Sequence, residues 1–580
     1  MGRICTLLQG ERDMQKKMKA IMAAVVVVVI IVITAVLVVK FKPSTEVMPL
    51  TDYYKTAADE LTIILQNELL DEKGHYFEGM PYLSYDMVKT RFNDRFYWSD
   101  HDNILIYTTP TDVIKIIPDT TEYSINKEKI PLDYVAVKAF DDGIYLAAEL
   151  VRQYSDIKYT ACENPDRIMI TNEWGVNVMH SSVKKEASLR IRPDIKSPIL
   201  DELVIGEDVV FVGAEEEPVN GFSKVITTDG IIGYVKNNRL NESEYMTLTS
   251  DFAAPEYTHI TKDYDICMVW HQVFNQTANG NLLTLLNATK GVNTISPTWF
   301  SISDNGGGVS SLASERYVER AHQAGVEVWG LCNDFNKEID LPKILASTDV
   351  REKLENKLLS LAIEYGLDGL NIDFENITEE SGEDFIQFIR ELSIKCRTNG
   401  IVLSIDDYIP TEYRAYYDYN EQGNVADYVV IMAYDEHYAG SSEAGSVSSI
   451  SFVKNAVNNI QKDVDASQVI MALPFYTRLW KTDASGKLTS EAYGMINAVR
   501  HLKESNVTAS WDEASAQYYV EYPEDGSTYK IWLEEERSIE EKIKAVTDGG
   551  ISNVSFWKLG LENTETWNAI GKYINAVKAD

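Results

Sequence analysis

The sequence predicts an α/β protein whose second half is a TIM (β/α)8 barrel, and three observations carry that prediction. From Tyr264 onward, short apolar β-runs alternate with amphipathic helical stretches such as Arg351 to Glu364 and Asp384 to Thr398. Eight such runs occur in order: Ile266 to Trp270, Thr294 to Trp299, Glu327 to Leu331, Gly369 to Glu375, Val402 to Ile405, Tyr428 to Ala433, Val469 to Leu473 and Val554 to Trp557. The fourth run ends on acids. In Asp368-Gly369-Leu370-Asn371-Ile372-Asp373-Phe374-Glu375 the polar residues Asn371, Asp373 and Glu375 take every second position, and Leu370, Ile372 and Phe374 fill the gaps. That is strand periodicity, with one apolar face and one face of acids and an amide. Such a face is costly to bury unless it lines a functional cavity, and the C-terminal strand ends are where a barrel of this kind keeps its active site. A calcium loop is excluded by the missing glycine position and by apolar residues where ligands would alternate.

The elements before the barrel follow from composition and patterning. A chain of 580 residues, 45% hydrophobic, holds about three or four folded domains rather than disorder. Its net charge of −35 excludes nucleic acid as a partner, because a phosphate backbone needs a basic surface. Ala20 to Val39 carries no charge and is bounded by Lys19 and Lys40, long enough to span a hydrocarbon core. Arg3, Arg12, Lys16, Lys17 and Lys19 before it favour a cytoplasmic N-terminus. A cleaved signal peptide fits less well, since Ile33, Val36 and Leu37 crowd the only small residues, Thr34 and Ala35. Residues 1–19 are therefore expected in the cytoplasm, 20–39 as a transmembrane signal-anchor in the cell membrane, and the rest outside the cell. Cys162, Cys267, Cys332 and Cys396 show no zinc spacing, and neither metal nor cofactor is expected.

Residues 45–180 mix a helical stretch, Tyr53 to Leu70, with short strands, and are expected to form a small α+β module. They resemble the module at the N-terminus of copper amine oxidases and of many bacterial envelope proteins, which implies a spacer or assembly role. Residues 181–246 carry short β-runs punctuated by Gly206, Asn220-Gly221 and Asp229-Gly230. The opening Leu189-Arg-Ile-Arg-Pro and the closing Gly233-Tyr-Val resemble a bacterial SH3-like barrel, implying a wall-binding or spacer module. The barrel itself is expected over 262–577. A small α+β insertion at about 480–535, with Trp511, Tyr518, Tyr519 and Tyr529, would wall one side of the cleft.

The fourth-strand octet resembles the Asp-Gly-x-Asp-x-Asp-x-Glu signature of glycoside hydrolase family 18, the chitinase-like barrels. Met432-Ala433-Tyr434-Asp435 is similar to the family's sixth-strand segment, Pro474-Phe475-Tyr476 to its seventh, and Trp557 to its eighth-strand tryptophan. Asn371-Ile-Asp-Phe-Glu-Asn376 and Phe556-Trp-Lys-Leu-Gly-Leu-Glu562 resemble its spore-cortex and cell-wall branch most. The resemblance implies peptidoglycan N-acetylglucosaminidase activity by a retaining, substrate-assisted route. Glu375 would be the acid/base, Asp373 the acetamido clamp, and Tyr434 an acetamido partner. Asn371, Met432, Asp435, Tyr476 and Trp557 would contact the sugar, with Trp557 as its floor. The implied partner is peptidoglycan or a related N-acetylglucosamine polymer. Chitin oligosaccharides and a non-catalytic glycan-binding barrel are the alternatives. Two positions depart from the family. Asn371 replaces its middle aspartate, which is expected to weaken proton exchange with Asp373, and Thr477 replaces a glycine and is expected to narrow the cleft.

Overall fold

The computed structural model describes residues 2–57, 59–213 and 218–573, and the side chains from residue 10 onward. The chain divides into two compact units. The first holds Met1–Asp94, Pro118–Thr121 and Leu132–Ala254; the second holds Arg95–Ile117, Glu122–Pro131 and Pro255–Asp580.

The first unit opens with one helix, Gly2–Phe41, whose apolar part is long enough to cross a membrane. The helix expected over Tyr53 to Leu70 is not there. Only Leu50–Tyr54 is helical, and strands Glu60–Leu65 and Glu68–Phe77 follow as a hairpin. The β-branched run Thr62-Ile63-Ile64 favours the strand, and Gln66 and Asn67, both at positive φ, make the tight turn. These strands join a seven-stranded sheet, and residues 177–247 build a second seven-stranded antiparallel sheet. The two expected modules are not separate bodies. Tyr54 Oη donates to the Gly230 carbonyl at 2.8 Å, and the buried Arg167 guanidinium donates to the Asp229 carbonyl at 2.8 Å. A turn of the second sheet is thus clamped by side chains of the first.

In the second unit eight parallel strands close on themselves. They are β1 Cys267–His271, β2 Thr294–Pro297, β3 Glu327–Asn333, β4 Gly369–Asp373, β5 Val402–Asp407, β6 Tyr428–Met432, β7 Val469–Pro474 and β8 Asn553–Trp557. Each pairs with the next, and β8 pairs with β1. The TIM barrel is as expected, but β4 stops at Asp373, so Glu375 stands just beyond the strand rather than on it. Alternation sorts the side chains. Leu370, Ile372, Cys267 and Val269 join the core between strands and helices, whereas Met268, Trp270, Trp329, Leu331, Val430 and Ile470 fill the lumen. Gly369 leaves room for the Trp329 indole, since a Cβ there would lie 2.7 Å from it.

Residues 97–131, expected in the N-terminal module, form a five-stranded antiparallel meander that packs on the barrel's helices. Tyr97 Oη donates to Asp384 at 2.5 Å, Asp102 accepts the Thr348 amide at 2.6 Å, and Arg397 donates to the Pro110 carbonyl at 3.0 Å. Under this cover lies an ion pair with almost no access to water, Arg351 to Glu391 at 3.1 Å, with Arg351 also donating to Tyr97 Oη at 3.2 Å. Between β7 and β8 the insertion begins at Tyr476, earlier than expected. Its five-stranded sheet and helix Met495–Glu504 enclose a cluster of Leu479, Ala498, Leu502, Tyr522 and Ile531.

Arg351→Met leaves Glu391 buried and unpaired, so urea unfolding should show a loss of roughly 3–5 kcal/mol. Adding Glu391→Leu should recover most of it. A loss under about 1 kcal/mol for the single variant would remove this pair from the account.

Candidate active site

The C-terminal strand ends collect the site. At its base lies Asn371, wholly buried. Its Oδ1 accepts from Trp270 Nε1 on β1 and from Ser296 Oγ on β2, both at 3.0 Å. Its Nδ2 donates to Ser404 Oγ at 3.0 Å and to Asp406 Oδ1 at 2.7 Å, both on β5. Four bonds exhaust the amide's capacity. Asn371 is therefore corrected from a sugar contact to the hub that ties β1, β2, β4 and β5 under the site. A second carboxyl group near Asp373 is nonetheless present, supplied by Asp406 from the neighbouring strand.

One turn of the pleat above, Asp373 is buried and its Oδ1 has no hydrogen-bond partner. Burial, and then the carboxyl groups of Asp406, Glu375 and Asp334, push its pKa well up. Asp406 is raised likewise by burial, with Asn371 partly offsetting and Asp407 and Glu375 adding. Glu375 is half-buried. Burial raises its pKa, the hydrogen bond donated by Tyr408 Oη to Oε2 opposes that, and Asp334 and Asp435 raise it again. Its backbone is fixed from β3. The Asp334 carboxylate accepts the Glu375 amide at 3.1 Å and the Asn376 amide at 2.9 Å, capping the chain as it leaves β4.

On the other side of the mouth, Tyr434 follows β6 and meets Tyr476 edge to face, ring centroids 6.3 Å apart. Burial, and then Tyr476, Asp373, Asp406 and Glu375, keep the Tyr434 phenol protonated far above neutrality, leaving it a donor. Tyr476 Oη donates to Asp435 Oδ1. Met432 is buried at the end of β6. Trp557, partly exposed at the end of β8, rests on Trp270 with ring centroids 5.8 Å apart. Glu375, Asp373, Tyr434, Asp435 and Tyr476 thus lie within electrostatic or ring contact of one another. Met432 and Trp557 end β6 and β8 at the same end of the barrel, and Asn371 is buried below. Thr477 does not narrow the cleft: it is buried, and its hydroxyl donates to the Trp532 carbonyl within the insertion. The insertion's aromatics mostly pack on one another, as Trp511 does on Tyr518 at 5.1 Å and Tyr519 on Trp532 at 4.6 Å. Among the described residues no three His, Cys, Asp or Glu side chains converge to hold a metal ion.

Three functional groups are absent from the sequence-based expectation: Asp334, Asp406 and Tyr408. All lie at or just past the ends of β3 and β5, which run two residues further than the expected strands. The strand-end rule finds them once those ends are placed.

The arrangement suits proton transfer to a leaving group beside a negatively charged or hydrogen-bonding clamp, on an aromatic floor. Comparison with known proteins agrees. Residues 311–562 match the family model described as glycosyl hydrolases family 18. A cortical fragment-lytic enzyme of Bacillus anthracis is 26% identical over 39% of this chain and 54% of its own length, so the chain spans about half of that relative. An uncharacterized glycosylase of Bacillus subtilis, YvbX, is 26% identical over 51% of this chain and 88% of its own. The crystal structure of the Bacillus cereus spore cortex-lytic enzyme SleL shares the fold, with a TM-score of 0.50 and 21% identity over 58% of this chain and 80% of that one.

Because the Tyr408 hydroxyl favours the ionised form of Glu375, Tyr408→Phe should raise the Glu375 pKa further. Carboxyl 13C titration of labelled protein should show its midpoint move to higher pH. An unchanged or lower midpoint would contradict the assigned bond.

Proposed function

We propose, from the match of residues 311–562 to the family model of glycosyl hydrolases family 18, that the chain hydrolyses β-1,4 N-acetylglucosaminyl linkages of peptidoglycan by a retaining, substrate-assisted mechanism. The observation that carries the proposal is one cluster: Glu375, raised in pKa by burial, beside Asp373 and Tyr434, with Trp557 across the same mouth. A carboxyl in that environment holds its proton to higher pH than an ordinary glutamate, as suits a general acid.

The steps follow from the groups present. With a sugar ring on Trp557, Asp373 takes the acetamido N–H, and Tyr434 donates to the acetamido carbonyl side. The acetamido oxygen attacks the anomeric carbon as the glycosidic C–O bond breaks, and Glu375 gives its proton to the departing oxygen. An oxazolinium ion remains. Glu375, now a carboxylate, removes a proton from water, which opens the ion and restores the acid. Tyr408 stabilises Glu375 in its ionised half-cycle, and Asp334 keeps the backbone of Glu375 in place. Asp373 and Asp406 share a desolvated site where ionising one disfavours ionising the other, so the protonation of the pair responds to charge forming on the substrate.

Peptidoglycan is favoured over chitin by the cortical fragment-lytic relatives and by the cell-wall branch motifs around Asn371 and Trp557. The N-terminal apolar helix suits a signal-anchor in the cell membrane, which would place the barrel outside, where the wall is. The antiparallel sheet over residues 177–247 suits a wall-contacting module of the SH3-like kind.

Full-length protein in detergent, wild type and Glu375→Gln, is incubated with peptidoglycan and with chitin oligomers, and the products are sized by mass spectrometry. Wild type should release fragments with reducing N-acetylglucosamine ends from peptidoglycan, and Glu375→Gln should be slower by about 10²–10⁴-fold. Turnover of chitin alone would reassign the substrate, and binding without turnover of either would leave a glycan-binding barrel.

A further inference from the structure

Among the described residues, the mouth of the barrel holds a cation that its own fold leaves without a counter-ion. Lys558 directly follows Trp557, the residue read as the sugar floor. Its stem is half-buried, and its ammonium donates to Gln272 Oε1, one residue past the end of β1. The Phe274 ring, largely exposed, lies 5.7 Å away. No carboxylate among the described residues stands within ion-pair distance, and burial alone lowers the pKa of Lys558, unopposed by any acidic neighbour. His271, within electrostatic reach of the lysine, is pushed down to about 4 by burial and then by the lysine's charge, so it is neutral near pH 7 and adds no second cation there. Other cations in the same region are engaged differently. Arg414 lies over the Tyr408 ring at 4.3 Å, and Arg478 donates to Ser490 Oγ at 2.9 Å with Asp435 nearby.

A partly desolvated ammonium with one neutral partner is costly in a protein of net charge −35, where carboxylates are abundant and none among the described residues stands against it. That cost is removed when a ligand brings an anion. The two polymers at issue differ in this respect. Chitin strands carry no carboxylate, whereas the muramic acid of a peptidoglycan strand carries a lactyl ether that ends in one wherever no stem peptide caps it. Lys558 lies on the β8–β1 side of the mouth, across the barrel from Glu375 beyond β4. It is therefore placed to meet a sugar next to the one on Trp557, on the side away from the acid.

We propose that Lys558 is a specificity-determining residue that binds the free lactyl carboxylate of muramic acid and so selects peptidoglycan strands over chitin. This rests on the reading of the cleft as a peptidoglycan hydrolase site, and it adds the group that distinguishes the substrate. The sugar floor and the anion contact come from adjacent residues, so placing the ring and reading its neighbour are coupled in the chain.

The test uses binding, so that it is decided apart from turnover. Full-length Glu375→Gln protein in detergent is titrated calorimetrically with three ligands: glycan strands with stem peptides, strands stripped of peptides, and stripped strands whose lactyl carboxyls are reduced to alcohols. Stripped strands should bind about tenfold more tightly than reduced ones. With Lys558→Gln added, that preference should fall to within about twofold; with Lys558→Arg it should persist. Far-UV circular dichroism and the thermal midpoint confirm the fold of each variant. A preference that survives Lys558→Gln, or that is absent from the Glu375→Gln parent, overturns the proposal. A preference requiring the stem peptides overturns it too, by assigning the contact to peptide carboxylates. Absence of strand cleavage by the wild type counts against the hydrolase reading alone, because carboxylate-dependent binding still decides the role of Lys558.

Discussion

Four carboxyl groups, Asp334, Asp373, Glu375 and Asp406, converge on the mouth of one barrel, and their mutual repulsion in a desolvated space sets what surrounds them. Burial raises the pKa of each of them above its ordinary value, and like charge nearby adds to this for Asp373, Glu375 and Asp406. The fold keeps the arrangement by giving the carboxyls neutral donors rather than cations. Asn371 donates to Asp406, Tyr408 to Glu375, and two backbone amides to Asp334. An arginine in that column would drop the pKa of Glu375 and remove the acid. Asn371 in place of a further acid follows the same logic: it cross-links four strands without adding a fifth charge.

Much of this is legible in the sequence. The eight strands are countable because parallel barrel strands, buried on both faces, read as short apolar runs between amphipathic helices. The octet identifies Asp373 and Glu375 because period-two alternation of acids is rare without a cavity. What stays hidden depends on neighbours distant in the chain. Apolar patterning ends β5 at Ile405, and only the ladder with β6 carries it through Asp407 and brings Asp406 to the site. Periodicity gives Asn371 a face but not a depth, and only the bonds from Trp270 and Ser296 place it below the cavity. Thr477 is misread for a similar reason, since its partner, the Trp532 carbonyl, lies across the insertion.

The division of the chain is the least legible feature. Residues 97–131 carry ordinary hairpin patterning, and nothing local says which core they join. Their partners on the barrel's helices include Asp384 and the buried Arg351, which in turn pairs with the buried Glu391, an ion pair that a covering element makes tolerable. Similarly, Tyr54 and Arg167 fuse two stretches that composition separates, by satisfying the carbonyls of the Asp229-Gly230 turn. In both places boundaries drawn from turn-rich texture fail because long-range polar contacts, not linkers, decide what folds together.

The central claim is that Glu375 works as an acid beside an acetamido clamp, with the substrate's own acetamido oxygen as nucleophile. The anomeric configuration of the first product tests it most directly. Proton NMR of a reaction sampled before mutarotation, with peptide-free glycan strands as substrate, reads the anomeric proton of the newly formed reducing N-acetylglucosamine. The account predicts the β-anomer, retained through the oxazolinium ion, with the α-anomer appearing only later by mutarotation. The α-anomer formed first would mean direct displacement by water and would contradict the roles given to Asp373 and Tyr434.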